Sequence, residues 1–366
     1  MAPTTKSPSG KTSPGKIPAT AMPDAATAPM KPIIFGAKGL RLSNEEAVFF
    51  AEHRPAGFIL FRRNIEAPDQ VRALVDAMKA AAGNPDALVL IDQEGGRVAR
   101  LRPPHWREYP RGADYGRLWA VDPDLAGEAA FLGARLIADD LSALGINVDC
   151  LPVLDVPVPG ADNIIGDRAY GTDSTIVMAL GRAASLGLIE GGVLPIIKHI
   201  PGHGRAMADS HLALPIVTAG RYALENHDFP PFRALGDLPL AMTAHVIFTA
   251  YDEEAPATTS AKVIDGVIRD HMGFDGLLMS DDLSMKALSG DFIEKRETIL
   301  RQGCDLVLHC NGEMAEMEPI AIGCPAISVT ARRRLDAVLA AAGKGKKAFD
   351  RGQAEARLAA LLALSP

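Results

Sequence analysis

Eight short, almost uninterrupted apolar runs recur along the chain, and this repetition narrows the possible folds more than any single motif does. They are PIIFG (32–36), GFILF (57–61), ALVLID (87–92), INVDCLPVLDV (146–156), VLPIIKH (193–199), PLAMTAHVI (239–247), GLLMSDD (276–282) and DLVLHCN (305–311). Runs this apolar predict strands covered on both faces, the habit of parallel sheets. Longer stretches with helical spacing separate them: SNEEAVFFAEH (43–53), APDQVRALVDAMKAA (67–81), DLAGEAAFLGARLIADDLSALG (124–145), TIVMALGRAASLGLIEGG (175–192) and FIEKRETILRQG (292–303). The first opens on a Ser–x–x–Glu capping box at Ser43 and Glu46.

Strands alternating with helices fit a (β/α)8 TIM-type barrel or a doubly wound sheet. The polar residues separate the two. Asp92, Asp155, His199, His245, Asp281 and Asn311 stand at the carboxyl ends of different runs. A barrel gathers such ends into one ring, whereas a doubly wound sheet concentrates function at a switch point. No GxGxxG follows a strand here. The expected fold is therefore an α/β barrel of one domain over residues 32–324. Residues 1–31 are rich in Pro, Ser, Thr, Ala and Lys without apolar periodicity, which predicts a disordered N-terminal tail. Residues 325–366 read as C-terminal helices packed on the barrel.

The formal net charge of −7, with scattered basic residues, argues against a nucleic-acid partner. The four cysteines (Cys150, Cys304, Cys310, Cys324) show no zinc or CxxC spacing and fit a reducing compartment. The N-terminus lacks the apolar centre of a secretory signal, and no run approaches the roughly 18 apolar residues of a membrane helix. A soluble cytoplasmic protein without a membrane partner is expected. Its oligomeric state is open, with a monomer favoured.

Three constellations carry the chemistry. In LIDQEGGRVARL, Asp92 ends a strand, Gly95 and Gly96 allow a tight turn, and Arg97 and Arg100 follow. A carboxylate and a guanidinium there can bind sugar hydroxyls, or can form a purely structural pair. In IIGDRAYG, Arg168 lies on the active face of a barrel, while Asp155 and Asp167 read as loop pins. In KHIPGHGRAMADSH (198–211), Lys198 and His199 end a strand and a loop with one proline and two glycines follows. Asp209 and His211, two apart, point the same way in extended chain. A carboxylate on one imidazole nitrogen fixes the tautomer and makes a proton shuttle near neutral pH. A metal site would instead need His199, His203 and His211 to converge, but their spacing matches no familiar zinc pattern, so no metal and no cofactor are expected.

In GLLMSDDLSM, Asp281 and Asp282 follow a buried strand and point in opposite directions. One can face the ring as a nucleophile, Asp281, while Asp282 supports a neighbouring loop or caps the next helix. A carboxylate nucleophile opposed by a proton donor is the retaining glycosidase arrangement. A histidine donor in place of the usual carboxyl reduces like-charge repulsion.

Taken in order, DQEGGRVARL, GDRAYG, KHIPGHGRAMADSH, MTAHVIF and SDDLSM resemble the family 3 glycoside hydrolases. More narrowly they resemble the single-domain bacterial β-N-acetylglucosaminidases of peptidoglycan recycling, from about Pro32 to Asn311. The resemblance implies that Asp281 forms a covalent glycosyl-enzyme intermediate, and that His211, paired with Asp209, protonates the leaving oxygen and then activates water. It implies that Asp92, Arg100, Arg168, Lys198 and His199 hold an N-acetylglucosamine unit. The implied partner is a muropeptide, cleaved between N-acetylglucosamine and anhydro-N-acetylmuramic acid. Relatives of the β-glucosidase kind take their acid/base from a second α/β domain, for which the stretch after the last run is too short. That points to the DSH loop as proton donor. Ile200 departs from the family's Phe in KHFPGHG without removing a chemical group. Phosphorolysis of the same intermediate, a β-glucosidase-like activity, a non-catalytic sugar-binding barrel and a metal-dependent hydrolase are the competing readings.

Overall fold

The computed structural model describes residues 29–210 and 212–365. The expected N-terminal tail therefore lies outside the described residues except for its last three, and Lys31 already belongs to the first strand. His211 also lies outside them.

All eight apolar runs become strands of one closed parallel barrel. These are β1 (Lys31–Gly36), β2 (Pro55–Leu60), β3 (Leu88–Ile91), β4 (Val148–Asp149), β5 (Leu194–Ile200), β6 (Leu240–Thr243), β7 (Leu277–Asp282) and β8 (Leu306–His309). Neighbours in sequence are neighbours in the sheet, and β8 closes on β1 through Ile33 opposite Val307. The runs are apolar throughout because both faces are covered. Ile34, Leu90, Val148, Ile196, Leu240, Met279 and Leu306 fill the barrel interior. Alternating residues such as Phe35, Val89, Ile197, Leu278 and Val307 pack outward in the cluster beneath the helices.

The longest run is mostly not strand. Only Val148–Asp149 pairs in regular register, followed by an isolated bridge from Val153 to Lys198. In PLAMTAHVI, β6 stops at Thr243, and Ile247–Phe248 pairs instead with Ile216–Val217 in a small separate sheet.

The helices follow their sequence signals closely. Asn44–His53 starts on the expected box, with Ser43 Oγ accepting from Glu46 N at 3.1 Å and Glu46 Oε2 accepting from Ser43 N at 2.9 Å. Pro68–Ala81, Pro123–Ser142 and Ser174–Glu190 occupy the next three helical stretches. Phe292–Arg301 is capped by Asp291, so Asp282 does not cap the next helix. A long turn separates Asp282 from that helix, and its carboxylate is occupied elsewhere.

The C-terminal stretch divides its work. Arg351–Leu362 packs on Pro123–Ser142, with Arg357 paired to Glu128 at 2.6 Å. Val329–Ala341 contributes Leu335 and Val338 to the interior cluster. Its Arg334 bonds Asp275 and Asp305, which precede β7 and β8, so this helix covers the amino-terminal end of the barrel. Function is thereby left to the opposite end. No helix among the described residues is long and apolar enough to cross a membrane.

Candidate active site

At the carboxyl ends of the strands a cavity of about 250 Å³ is lined by Asp92, Arg100, Arg168, Lys198, His199 and Asp281, together with apolar residues such as Phe61 and Met242. Six of the eight residues expected from sequence thus share one wall system. Asp209 is not among the described residues that line it, although its neighbour Ser210 is.

The charged floor is a network. Lys198 Nζ donates to Asp92 Oδ1 at 2.9 Å and lies 2.7 Å from Glu94 Oε1. Arg100 Nη2 donates to Asp92 Oδ2 at 2.9 Å, and its guanidinium lies 4.9 Å from the Phe61 ring centre. Arg168 grips Glu94 with two parallel bonds, Nε to Oε2 and Nη2 to Oε1, both 2.8 Å. Burial alone would raise the Asp92 carboxyl, but Lys198 and Arg100 outweigh it and hold it far below the usual carboxylate range. Glu94 is likewise raised by burial yet brought down to about 2 by Arg168 and Lys198. Lys198 stays protonated because Asp92 and Glu94 overcome the desolvation that would lower it.

Three cations share two carboxylates, so donor capacity is left over. An ammonium has three donors and a guanidinium five. Lys198 has donors committed to two partners, and Arg168 also donates Nη1 to the Ile164 carbonyl at 3.1 Å. The remaining N–H groups are oriented before any ligand arrives. Glu94 escaped the sequence reading, though its position two residues after Asp92 puts both carboxylates on one side of an extended chain.

His199 is held by Asp155. The ring Nδ1 lies 2.7 Å from Asp155 Oδ2, while Asp155 Oδ1 accepts from the backbone N of His199 at 3.2 Å and of His203 at 2.6 Å. Burial would raise Asp155, but His199 and these bonds bring it to about 2. An ionised carboxylate can only accept, so Nδ1 carries a proton, and the ring is oriented with Nε2 on its other side. Asp155 pins the loop, as its sequence position suggested. Asp167 does the same by accepting from Arg97 Nε at 3.0 Å. Gly95, at φ +98°, is required where it stands, because a Cβ would lie 2.0 Å from the Pro110 carbonyl oxygen.

His203 also lines the cavity. Its ring meets His199 edge-on at 5.7 Å, and burial together with His199 pushes it down to about 4, so it is neutral at physiological pH. Sequence reasoning considered it only as a metal ligand. Among the described residues no group of three or more His, Cys, Asp or Glu could hold a metal ion.

Asp281 reaches the cavity from the end of β7. Asp282 N donates to its Oδ1 at 2.8 Å, and no ion pair to it forms among the described residues. Asp282 also borders the cavity, but its carboxylate is engaged, accepting from Ser284 N at 3.1 Å, Ser284 Oγ at 2.5 Å and Cys310 N at 3.1 Å. One carboxylate is left for chemistry while its neighbour braces the loop and the adjoining β8 end.

The sequence model for the glycosyl hydrolase family 3 N terminal domain matches residues 21–337. The chain belongs to glycosyl hydrolase family 3. Among family members, a β-hexosaminidase of Alkalilimnicola ehrlichii is 40% identical over 284 residues, covering 76% of this chain and 80% of that one. The crystal structure of NagZ from Neisseria gonorrhoeae in complex with N-trifluoroacetyl-D-glucosamine superposes with a TM-score of 0.80 at 29% identity, covering 92% of this chain and 99% of that one. A family 3 β-N-acetylglucosaminidase from Paenibacillus sp. FPU-7 gives a TM-score of 0.73 at 34% identity, covering 90% of this chain and 60% of that one. The donor-rich floor suits a polyhydroxylated ring.

Proposed function

We propose that this β-N-acetylhexosaminidase is a retaining exo-β-N-acetylglucosaminidase that removes terminal N-acetylglucosamine from muropeptides during cytoplasmic cell-wall recycling. The observation that carries the reading is Asp281. Its carboxylate opens on the cavity beside a floor of preoriented donors. The resemblance to β-hexosaminidases and to a structure holding an N-acylated glucosamine supports the sugar class.

In this reading an Asp281 oxygen attacks the anomeric carbon as the bond to the leaving oxygen breaks. His211, paired with Asp209, gives the leaving oxygen its proton. The same imidazole then takes a proton from water, which attacks the anomeric carbon and releases Asp281, so two inversions retain configuration. Asp92 accepts from a sugar hydroxyl while Arg100, Arg168 and Lys198 donate, and His199 meets the sugar through Nε2. An imidazole in place of a carboxylate as the acid lets the nucleophile ionise without a second anion as its partner.

His211→Ala should then lose turnover in proportion to how much the leaving group needs a proton. We expect a loss at least about 10²-fold greater on a muropeptide than on an aryl N-acetyl-β-glucosaminide with an acidic phenol. Equal losses on both would remove His211 as the acid. Product analysis in phosphate buffer should show free N-acetylglucosamine; accumulation of the sugar 1-phosphate would make the enzyme a phosphorylase acting through the same intermediate. Turnover should survive exhaustive dialysis against a chelator, and activity restored only by added zinc would reassign the mechanism.

A further inference from the structure

His245 lies in MTAHVIF, directly after β6, and the mechanism above does not use it. It is 1% exposed, with Thr243 and Thr258 fully buried beside it. Its Nε2 lies 3.1 Å from the carbonyl oxygen of Asp282 and its Nδ1 lies 2.7 Å from Thr258 Oγ1. Thr258 Oγ1 in turn lies 2.8 Å from Thr243 Oγ1.

The chemistry of these atoms orders the protons along the chain. A carbonyl oxygen can only accept, so Nε2 must carry a hydrogen. The Nδ1 of the neutral ring is then bare, so Thr258 must donate to it. The Ala244 carbonyl oxygen, 3.1 Å from Thr258 Oγ1, competes for the single hydroxyl hydrogen, but the 2.7 Å contact to Nδ1 is the shorter and takes it, which leaves Thr243 to donate to Thr258. The opposite order would set a bare Nε2 against a carbonyl oxygen, two buried acceptors with nothing between them. Burial favours the uncharged ring over the attraction of Asp281 and Asp282, and lowers its pKa.

The carbonyl that ends this chain belongs to the residue that holds the nucleophile. Asp282 donates its own N–H to Asp281 Oδ1 at 2.8 Å. Its backbone is therefore tied at both ends, to the Asp281 carboxylate through nitrogen and to His245 through oxygen. Turning the Asp282 carbonyl would also shift the N–H that aims Oδ1.

We propose that His245, held as the Nε2–H tautomer by the Asp282 carbonyl and satisfied at Nδ1 by the ordered pair Thr243 and Thr258, is a positioning residue that sets the orientation of the Asp281 carboxylate. This rests on the reading of Asp281 as the nucleophile. Displacements of about 1 Å at a reacting group can lower rates roughly 10²-fold. His245→Leu is expected to lower kcat by about that factor with KM changed less than about threefold, because no sugar contact is removed. His245→Gln keeps a donor for the Asp282 carbonyl and should recover at least about tenfold of the loss. Thr258→Val strips the donor from Nδ1 but leaves the Asp282 carbonyl facing Nε2, so the Nε2–H tautomer should persist while the resonance of the bare Nδ1 moves downfield.

The direct readout is nitrogen-15 NMR of the histidine rings in the full-length protein, with His245 assigned by the signals missing from His245→Gln. One neutral Nε2–H tautomer at pH 7 in the wild type and in Thr258→Val, and rescue by Gln, together support the proposal. An Nδ1–H ring or an imidazolium in the wild type overturns it, as do equal losses in the Leu and Gln variants. If the Leu variant fails to fold, the tautomer in the wild type and in Thr258→Val still decides. Full activity of Asp281→Asn would remove the nucleophile assignment while leaving the tautomer result standing, so the two failures are distinguishable.

Discussion

Asp281→Asn is expected to abolish turnover, by on the order of 10⁴-fold or more, with little change in sugar affinity or stability. The substitution preserves shape, and an amide oxygen can still accept from Asp282 N. What it removes is the negative charge that, on the proposed mechanism, bonds to the anomeric carbon. The floor proposed to bind the ring comes from the end of β3, the turn after it, β5 and the loop carrying Arg168, so a competitive N-acetylglucosamine analogue should bind within a few fold of wild type. Trapping gives a second check. In His211→Ala, glycosylation by an activated aryl glycoside should outrun water attack, and a proteolytic peptide containing Asp281 should carry the sugar. A labelled peptide elsewhere, or undiminished turnover by Asp281→Asn, would move the nucleophile to another group.

Lys198→Met carries the largest expected effect on stability. The Lys198 side chain is only 2% exposed and serves both Asp92 and Glu94. Methionine fills similar volume but leaves two buried carboxylates short of a cation, and breaking a buried pair in this way costs about 3–5 kcal/mol. The sign of the pH dependence follows from the shifts. Glu94 has its folded pKa depressed to about 2, and Asp92 moves in the same direction. Their stabilisation is present above the unfolded value near 4 and is lost as pH falls through the folded one. For Glu94 alone the depression is worth about 3 kcal/mol. Lys198 shifts upward, so its share is present below the unfolded value of about 10.4 and is lost only at higher pH. Without Lys198 the carboxylates return toward ordinary values. The stability gap between wild type and variant should therefore be widest from about pH 5 to 9 and narrow toward pH 3. Denaturant titrations at pH 7 and pH 3 measure it, and a gap equal at both would show that the network is not held by charge.

Much of this arrangement was legible because its signals are local. Eight apolar runs, a Ser43–Glu46 box and polar residues at run ends each depend on neighbours in the chain. Asp281 and Asp282 separate into chemistry and bracing by the alternation of an extended strand. Where reading along the chain fell short, the partner lay far away in it. Asp282 reads along the chain as a loop support or a helix cap, and only the contact with Cys310 N on the neighbouring strand end shows that it braces. Glu94 looked like part of a glycine turn until Lys198 and Arg168 met it. The role of Val329–Ala341 in covering the barrel end depends on Leu335 and Val338 reaching the interior, which helical periodicity alone does not disclose.

The sequence by itself determined the barrel, the end of it that carries function and most of the residues gathered there, since strand alternation and apolar periodicity are properties of contiguous residues. Only the tertiary structure decided which charge answers which, that Asp155 orients the His199 ring and that His245 reaches the Asp282 carbonyl. Those contacts join side chains from strands and loops far apart in the chain, and their distances are set by barrel closure and register, not by spacing along the backbone.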